Sequence, residues 1–591
     1  MPKADLAPAV PAKNRHIGTG ISLAVLAAVF TLCNCVKPLQ VDDAAYVLYA
    51  AHIAEHPLAP YDFAVYWGHQ FQPANQVLAP PVLLYWMAGA HAVFGDNPTL
   101  WKLSLLPWHV LLTISLFSLL RRWTGALSLP LTWMALLSPA LLPSTNLMLD
   151  VPALALSLTA VALFVKAAER GGWRLAALAG LVAGLAMQTK YSAFVTPWVL
   201  LCYGLTHGRL RLALLAAATA LCIFAAWELF VATVHGDSHF LLAAQQRGES
   251  LLARIRHMVI PTLTLTAALA PGVLFAAVLG WRRSGRWLAV AIMVAAGGFL
   301  LLGVVPPWLN EWFRNPVTGR SAVRVDGVLY GLWTTLWWGT LTLTIWRHWR
   351  SPPRLLGAPQ RMTSGGDYPR RDKPGGSSNI GERGLAFLLI WLALEIVGCV
   401  ALSPFPAARR VLGVTVAATI LIGYLIARQQ PSLRMAWTAT VASMVLGFAV
   451  ALIDIHEAQA TESLATAAVQ VAQRENLGGC TWFSGTWAFQ YYAMHHGMVP
   501  IAPEISELRA GDLLILPEQQ LNRIDFHTDQ APLAKLRVVT VEDNLPWQTL
   551  PCYYCGPTPL RHHEGPRLRL TVYRVLTDFA PRDHGSLPGV H

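Results

Sequence analysis

The sequence predicts a mainly α protein, a polytopic bundle of transmembrane helices followed by a small α/β domain. Of its 591 residues, 54% are hydrophobic and only 13% are charged, whereas a soluble domain carries roughly 25% charged residues. The mean hydropathy is +0.44. Most apolar residues fall in long runs between short basic loops, and the runs give way to short strand-like segments after residue 454. No compact globule can bury this much apolar surface, so lipid must solvate part of it.

The apolar runs define the predicted membrane domain. A helix that crosses the bilayer needs about 20 apolar residues, and about thirteen runs come near that length. We therefore predict a transmembrane domain over residues 1–453 and a separate domain over residues 454–591. The predicted spans lie near residues 18–36, 101–120, 127–143, 150–167, 174–189, 191–206, 212–234, 261–281, 287–306, 327–346, 384–403, 411–427 and 434–453.

Lysine and arginine set the predicted orientation, because cytoplasmic loops of membrane proteins are enriched in both residues. With the N-terminus in the cytoplasm, alternate loops are basic and the C-terminal domain is extracytoplasmic. The cytoplasmic side also receives residues 347–383, whose Arg, Pro, Gly and Ser content predicts a disordered linker. We expect a multi-pass protein of the inner (plasma) membrane. The net charge of +12 is spread over short loops, which argues against nucleic acid as a partner because a contiguous basic face is missing.

The first outer loop, residues 37–100, is too long for a simple connection. It contains two amphipathic segments, 44–55 and 82–94, which we predict to form helices at the membrane surface. Aromatic residues in such a loop form the interfacial belt of membrane proteins, and they also line sugar-binding clefts, where a sugar packs its C–H face on a ring. The candidate cleft residues are Tyr46, Tyr61, Trp67 and Tyr85.

Acidic residues stand at two predicted outer helix ends. Asp42 and Asp43 follow the first span, and Asp150 opens a later span. Each position suits the N-cap of a helix, and each also suits a general base at the membrane boundary, where a carboxylate accepts a proton from an acceptor hydroxyl. Glu228 and Glu395 lie within apolar runs, and we predict that they pair with neighbours inside the bundle.

Several basic residues fall on the predicted outer side, against the rule that sets the orientation. Lys190, Arg409 and Arg410 are the strongest examples. Two explanations are open for Arg409 and Arg410: their side chains either extend to the interface or bind an anion such as a phosphate.

Four segments in order resemble known motifs. Residues 42–46 resemble an Asp-Glu-x-x-Tyr segment, 80–86 a Pro-Pro-x-x-x-Tyr-Trp segment, 148–152 an Asp at an outer helix end, and 180–191 a Gly-x-x-x-Gly-x-x-x-x-Thr-Lys segment. These are landmarks of the GT-C glycosyltransferases, which include the protein O-mannosyltransferases and the lipid A aminoarabinose transferases. The resemblance covers roughly residues 20–210.

The resemblance implies an enzyme that moves a sugar, with inversion, from a polyprenyl-phosphate donor to a lipid, glycan or protein acceptor on the outer face. It implies Asp42 as the base with Asp43 beside it, and Asp150 as a residue that orients the acceptor or the base. Lys190 would bind the donor phosphate, and physical reasoning adds Arg409 and Arg410 as further cations.

One motif departs from the family, and it bears on metals. The aminoarabinose transferases carry Glu-Lys before Pro-Pro, where this chain has Leu78 and Ala79. The departure argues against a zinc ligand at this position and against lipid A as the substrate. We assign no metal ligands and leave open whether a divalent metal takes part.

Two other functions compete with the transferase. A transporter or flippase of lipid-linked sugars should show internal repeats and broken helices, and the sequence shows no convincing ones. A membrane scaffold does not explain acids and cations at one face.

The C-terminal region predicts an α/β domain, with a helix over 462–476, a helical piece over 486–496 and strands over 480–484, 512–516, 536–541 and 568–575. Its aromatic-rich segment 482–492 favours a strand–turn–helix over a carbohydrate site. Cys552 and Cys555 are expected to form a disulfide or remain free thiols. A zinc site with the neighbouring histidines lacks a second cysteine pair.

Overall fold

The structure of the protein is a computed structural model. It describes residues 12–68, 70–77, 80–245, 250–272, 325–350, 377–475, 478–503, 505–518, 531–542, 545–562 and 568–581.

Helices make up most of the described chain. The first half contains α1 (Ala12–Cys35), α2 (Asp43–Glu55), α3 (Ala74–Val77), α4 (Pro81–Phe94), α5 (Pro98–Leu103), α6 (Leu106–Thr124), α7 (Ser128–Leu136), α8 (Asp150–Arg170), α9 (Trp173–Met187), α10 (Val195–Thr206), α11 (Leu210–His235), α12 (His239–Gln245) and α13 (Leu251–Leu269). The second half contains α14 (Val325–Arg350), α15 (Ser377–Leu402), α16 (Leu412–Ala427), α17 (Leu433–Glu475), α18 (Trp487–His495) and α19 (Leu550–Tyr553).

Six described helical stretches are long and apolar enough to cross a membrane, which supports a multi-pass membrane protein. They are Ile17–Cys35, Pro98–Leu136, Asp150–Arg170, Leu210–His235, Glu382–Leu402 and Leu433–Glu475. Four shorter apolar helices accompany them: Pro81–Phe94, Trp173–Met187, Tyr191–Thr206 and Leu412–Ala427. The predicted span at 287–306 and most of the predicted linker at 347–383 lie outside the described residues.

Small residues bring α9 and α11 into close contact. Gly184 of α9 lies so near α11 that an added Cβ atom would stand 2.7 Å from the Cβ atom of Ile223. Gly180, one turn earlier, faces the backbone of Ala216 in the same way. Small residues at this spacing let helix backbones approach within a bilayer, where packing rather than the hydrophobic effect drives association.

The predicted span at 127–143 is a helix only as far as Leu136. The chain then runs through turns from residue 137 to residue 149, with Pro139 and Pro143 in this stretch, and proline cannot supply the backbone N–H that a continuing helix needs. Every residue of the stretch is buried, so this irregular segment runs through the protein interior and delivers Asp150 to the start of α8.

The first loop, 37–100, contains the two predicted helices as α2 and α4, and they pack against each other. Between them lies a hairpin, β1 (Ala64–Trp67) and β2 (Gln70–Pro73), whose strands pair antiparallel. The hairpin contacts the C-terminal region, because the Tyr66 hydroxyl donates to the carbonyl of Ile501 at 2.6 Å.

The C-terminal region contains a five-stranded mixed sheet. Its strands are β3 (Thr481–Phe483), β4 (Val499–Pro500), β5 (Leu513–Pro517), β6 (Leu533–Val541) and β9 (Leu568–Val575). Their order is β4-β3-β5-β9-β6, with β3 parallel to β4 and β5, and β9 antiparallel to β5 and β6. A second pair joins β7 (Trp547–Gln548) to β8 (Arg561–His562). The predicted strands and the helix over 486–496 therefore form near their expected positions. The boundary expected at 453–454, however, falls inside α17, which continues unbroken to Glu475.

A buried ion pair ties the end of α1 to α17. The Lys37 ammonium donates to Asp454 Oδ2 at 2.5 Å and to the carbonyl of Pro143 at 3.1 Å. Both side chains of the pair are almost completely buried. The Thr549 hydroxyl completes the group by donating to Asp454 Oδ1 at 2.8 Å, so three distant parts of the chain meet at one carboxylate.

The contact between α9 and α11 gives a stability prediction. Gly184→Val should lower the free energy of unfolding by about 2 kcal/mol, because its side chain would collide with Ile223. Thermal unfolding in detergent, followed by tryptophan fluorescence, measures the loss. Gly89→Ala in α4 is the control, since an added Cβ atom there meets no other atom within 4 Å. An unchanged unfolding temperature for Gly184→Val would contradict the packing described.

Candidate active site

Five charged side chains come together where several helices end, and we call Asp42, Asp150, Lys190, Arg409 and Arg410 the charged site. Arg409 Nη1 donates to Asp42 Oδ2 at 2.8 Å. The Asp42 side chain is 17% exposed and that of Arg409 is 8% exposed. Asp42 occupies the N-cap position of α2, but its side chain makes no capping hydrogen bond. The simple capping interpretation of Asp42 therefore does not describe its contacts.

A second ion pair lies beside the first. Lys190 Nζ donates to Asp150 Oδ1, and the Asp150 side chain is only 4% exposed. Asp150 begins α8, where the positive end of the helix dipole stabilises a carboxylate. Lys190 stands between the end of α9 and a short 3₁₀ turn, Tyr191–Phe194. Both residues were candidates from the sequence, and the structure joins them in an ion pair.

Arg410 differs from the other cations of the charged site. Among the described residues it forms no ion pair, and its guanidinium lies over the ring of Phe405, 4.2 Å from the centroid. Its Nε is buried and, like that of Arg409, makes no hydrogen bond with the described residues. Such a guanidinium has donors available for an incoming anion.

The electrostatics of the site follow from the burial of these groups and from the short distances between them. Burial lowers the pKa of the Lys190 ammonium to about 8, although Asp150 opposes this shift. Burial and the positive charge of Arg409 lower the pKa of Arg410 to about 10. Burial acts on Arg409 in the same direction, but the charges of Asp42 and Asp150 outweigh it and raise the pKa of Arg409.

Asp43 has a different environment from its neighbour. It is completely buried, and its carboxylate accepts hydrogen bonds from the backbone N–H groups of Gln40 at 3.1 Å and Leu147 at 3.0 Å. Burial raises its pKa, while Lys102 and Lys37 act in the opposite sense. These contacts favour a structural task for Asp43, which joins the chain before α2 to the segment before α8.

The candidate cleft aromatics are divided between two places. Tyr46 is buried in α2, and the charge of Asp42 adds to the burial that raises its pKa. Tyr61 is 2% exposed and packs its ring against Trp227, with 6.4 Å between the ring centroids. Tyr85 meets the same tryptophan at 6.1 Å. Trp67 ends strand β1. Of these rings, only those of Tyr85 and Trp67 are partly exposed.

The two glutamates of the apolar runs have neighbours, as predicted. Glu228 accepts hydrogen bonds from the Tyr191 hydroxyl at 2.9 Å and the Ser238 hydroxyl at 2.6 Å. Glu395 accepts one from Trp391 Nε1 at 3.0 Å.

Both acids of the charged site form ion pairs with basic side chains, which bears on whether they could bind a metal ion. Asp42 pairs with Arg409, and Asp150 pairs with Lys190. Among the residues that the structure describes, no three histidine, cysteine, aspartate or glutamate side chains group closely enough to hold a metal ion.

Two residues that contact this region, Met148 and Tyr554, were not among the candidates from the sequence. Met148 accepts a hydrogen bond from Arg409 Nη1 through its sulfur, at 3.1 Å.

Tyr554, in the C-terminal region, contacts the segments that flank the charged site. Its neighbours Cys552 and Cys555 are free thiols. The charges of Arg409 and Asp42 both act on the thiol of Cys555, whose pKa burial raises to about 11, so this part of the C-terminal region lies beside the site. No local motif marks Tyr554, because its partners are distant in the sequence.

Two solved structures resemble large parts of the chain, and one protein family matches a segment of its first half. No curated protein matches the chain. The archaeal oligosaccharyltransferase AglB from Archaeoglobus fulgidus, solved with an inhibitory peptide and a dolichol-phosphate, is 12% identical, with a TM-score of 0.44 over 83% of this chain. The arabinosyltransferase EmbB from Mycobacterium smegmatis is 17% identical, with a TM-score of 0.29 over 75% of this chain. The matches cover 64% and 44% of those two proteins, respectively.

A family comparison gives the more specific result. Residues 79–232 match the family described as dolichyl-phosphate-mannose-protein mannosyltransferase. The matched range includes Asp150 and Lys190. Over these residues, the match confirms the predicted resemblance to the GT-C glycosyltransferases.

Proposed function

We propose that this protein is an inverting glycosyltransferase that moves a sugar from a polyprenyl-phosphate donor to a lipid, glycan or protein hydroxyl. The observation that carries the proposal is the convergence of two acids and three cations at one group of helix ends. Burying five charges is costly unless they are paired or have a task. Arg410 has no acidic partner among the described residues, which supports a task in anion binding.

In the proposed reaction, Asp42 is the base. Its carboxylate accepts the proton of the acceptor hydroxyl while the acceptor oxygen bonds to the anomeric carbon. The bond between that carbon and the phosphate oxygen breaks on the opposite face, so the configuration inverts and polyprenyl phosphate leaves. Asp42 suits this task better than Asp43, because Asp42 keeps some exposure whereas Asp43 is buried and holds two backbone amides.

The cations stabilise the leaving group. Negative charge grows on the phosphate oxygen as the sugar departs, and preorganised cations in a site shielded from water stabilise that charge best. Arg410 offers guanidinium donors, and Lys190 offers an ammonium that now binds Asp150. A phosphate that draws Arg409 toward itself would also leave an oxygen of Asp42 for the acceptor hydroxyl.

We further propose that the charged site faces the extracytoplasmic side of the inner membrane, with the N-terminus in the cytoplasm. The C-terminal sheet would then be extracytoplasmic, as the distribution of basic loops predicts. Trp67 and Tyr85, as partly exposed rings of the first loop, are the proposed contacts for the sugar or its lipid.

The role of Asp42 can be tested by Asp42→Asn. Transfer by purified protein in detergent, with a polyprenyl-phosphate sugar and analysis by mass spectrometry, should fall at least about 10²-fold, because the amide cannot accept the proton. Asp62→Asn is the control, since Asp62 lies in the same loop with a side chain that is 59% exposed. Full transfer by Asp42→Asn would remove Asp42 from the role of base.

The role of Arg410 is tested by Arg410→Ala. The apparent Michaelis constant for the donor should rise more than about tenfold, because a charge-assisted contact with the phosphate is lost. The constant for the acceptor should change little. The control is Arg428→Ala, since Arg428 lies over the ring of Tyr424 at the other end of α16. Equal effects on donor and acceptor would argue against phosphate binding.

The lowered pKa of Lys190 predicts that donor binding depends on pH. Its pKa of about 8 means that the ammonium is charged below this pH and neutral above it. Donor affinity should therefore fall as the pH rises from 7 to 9, and Lys190→Arg should move that fall to higher pH, because a guanidinium stays charged. Donor titrations at several pH values measure both curves. Superimposable curves for the two proteins would contradict the assignment.

A further inference from the structure

Tyr554 connects four separate parts of the chain through one hydroxyl. This residue follows α19 and is completely buried. Its oxygen accepts hydrogen bonds from Lys37 Nζ at 2.9 Å and Asn146 Nδ2 at 3.1 Å. The hydroxyl donates toward Asp454 Oδ2, which lies 2.9 Å from the tyrosine oxygen, and Gln40 Oε1 lies 3.3 Å from the same oxygen. A tyrosine hydroxyl has one donor and two acceptor sites, so this environment uses its full hydrogen-bonding capacity.

Asp43 holds two of the same segments from another side. It binds the backbone N–H of Gln40, whose side chain meets Tyr554, and the backbone N–H of Leu147, which follows Asn146. Tyr554 and Asp43 together therefore clamp the chain before α2 to the chain before α8.

The segment 146–150 carries these contacts into the charged site. Asn146 binds Tyr554, Leu147 binds Asp43, Met148 binds Arg409, and Asp150 binds Lys190. Within five residues, the chain touches the C-terminal region, the start of α2 and two cations of the charged site. A displacement of this segment would shift Asp150 and the sulfur contact to Arg409 together.

The chain on the other side of the clamp is held under strain. Val41, between Gln40 and Asp42, adopts a φ of 50°, a region that β-branched residues rarely enter. It is 1% exposed. Strained backbone persists only where surrounding contacts hold it, and the bonds to Gln40 from Tyr554 and Asp43 are such contacts.

We propose that Tyr554 is a positioning residue through which the C-terminal region sets the distance between Asp42 and Asp150. Its kinetic consequence rests on the proposed glycosyltransferase function, whereas the clamp itself does not. Tyr554 acts through Gln40 and Asn146 and touches neither acid.

Tyr553 provides a matched control. It is the adjacent residue and equally buried, and its hydroxyl also makes several hydrogen bonds, with the Ser144 hydroxyl at 2.7 Å and the carbonyl of Ala140 at 2.6 Å. These partners precede segment 146–150, and no hydrogen bond among the described residues joins either of them to the charged site. Tyr553→Phe and Tyr554→Phe thus each remove one buried hydroxyl, but only Tyr554→Phe releases the clamp.

The clamp can be measured without any assay of activity. Hydrogen–deuterium exchange with mass spectrometry should show faster exchange of the Gln40 and Leu147 amides in Tyr554→Phe, by about fivefold or more, because their segments open more often. In Tyr553→Phe both amides should exchange as in the wild-type protein. Wild-type exchange in Tyr554→Phe, or an equal increase in both variants, would overturn the clamp.

Measurements of transfer kinetics use the same two variants. Tyr554→Phe should lower kcat by about tenfold or more with a smaller change in KM for the donor, because misplaced reacting groups slow the chemical step. Tyr553→Phe should retain most of its kcat. Equal kcat losses in variants with equal unfolding temperatures would overturn the positioning role. If wild-type protein transfers no sugar but the amides respond as expected, the proposed function fails and the clamp stands.

Discussion

The ion pair between Arg409 and Asp42 joins residues 367 positions apart in the sequence and brings the start of α2 against the turn before α16. Beside it, Lys190 and Asp150 join the end of α9 to the start of α8. Each of these four side chains buries a charge near a helix end, and removing that charge from water costs considerable free energy. Together the two pairs neutralise four charges in one region, and the helices that carry them must meet there.

The cost of burying these charges bears on why they are present in the membrane domain. Replacing a buried ion pair by apolar side chains of similar size is often neutral or stabilising, so stability alone does not account for the charges. Buried ionisable groups in a membrane domain commonly mark a functional region. The matched family range ends at residue 232 and contains Asp150 and Lys190, while Arg409 and Tyr554 come from later parts of the chain. In the proposed function, the site therefore combines residues from the matched family range with residues from later segments that carry no family motif.

The sequence predicted much of the charged site because a charge in an apolar context is visible locally. Asp42, Asp150, Lys190, Arg409 and Arg410 all stand out in this way. The contacts of Asp43 and Tyr554 were not predictable, since they involve backbone amides and side chains far away in the sequence. The helices α2 and α4 and most strands of the C-terminal sheet followed from local patterns. The prediction of a span at 127–143 was wrong beyond Leu136, because composition alone cannot distinguish a buried irregular segment from a membrane helix.

We propose that the charged site binds the donor phosphate and contains the base. A cryo-EM structure of the protein with a bound polyprenyl phosphate would locate the phosphate relative to these residues. The phosphate should lie within hydrogen-bonding distance of Arg410 and Lys190, with Asp42 on the side from which an acceptor would approach. A phosphate bound elsewhere, with both ion pairs unchanged, would rule out this site.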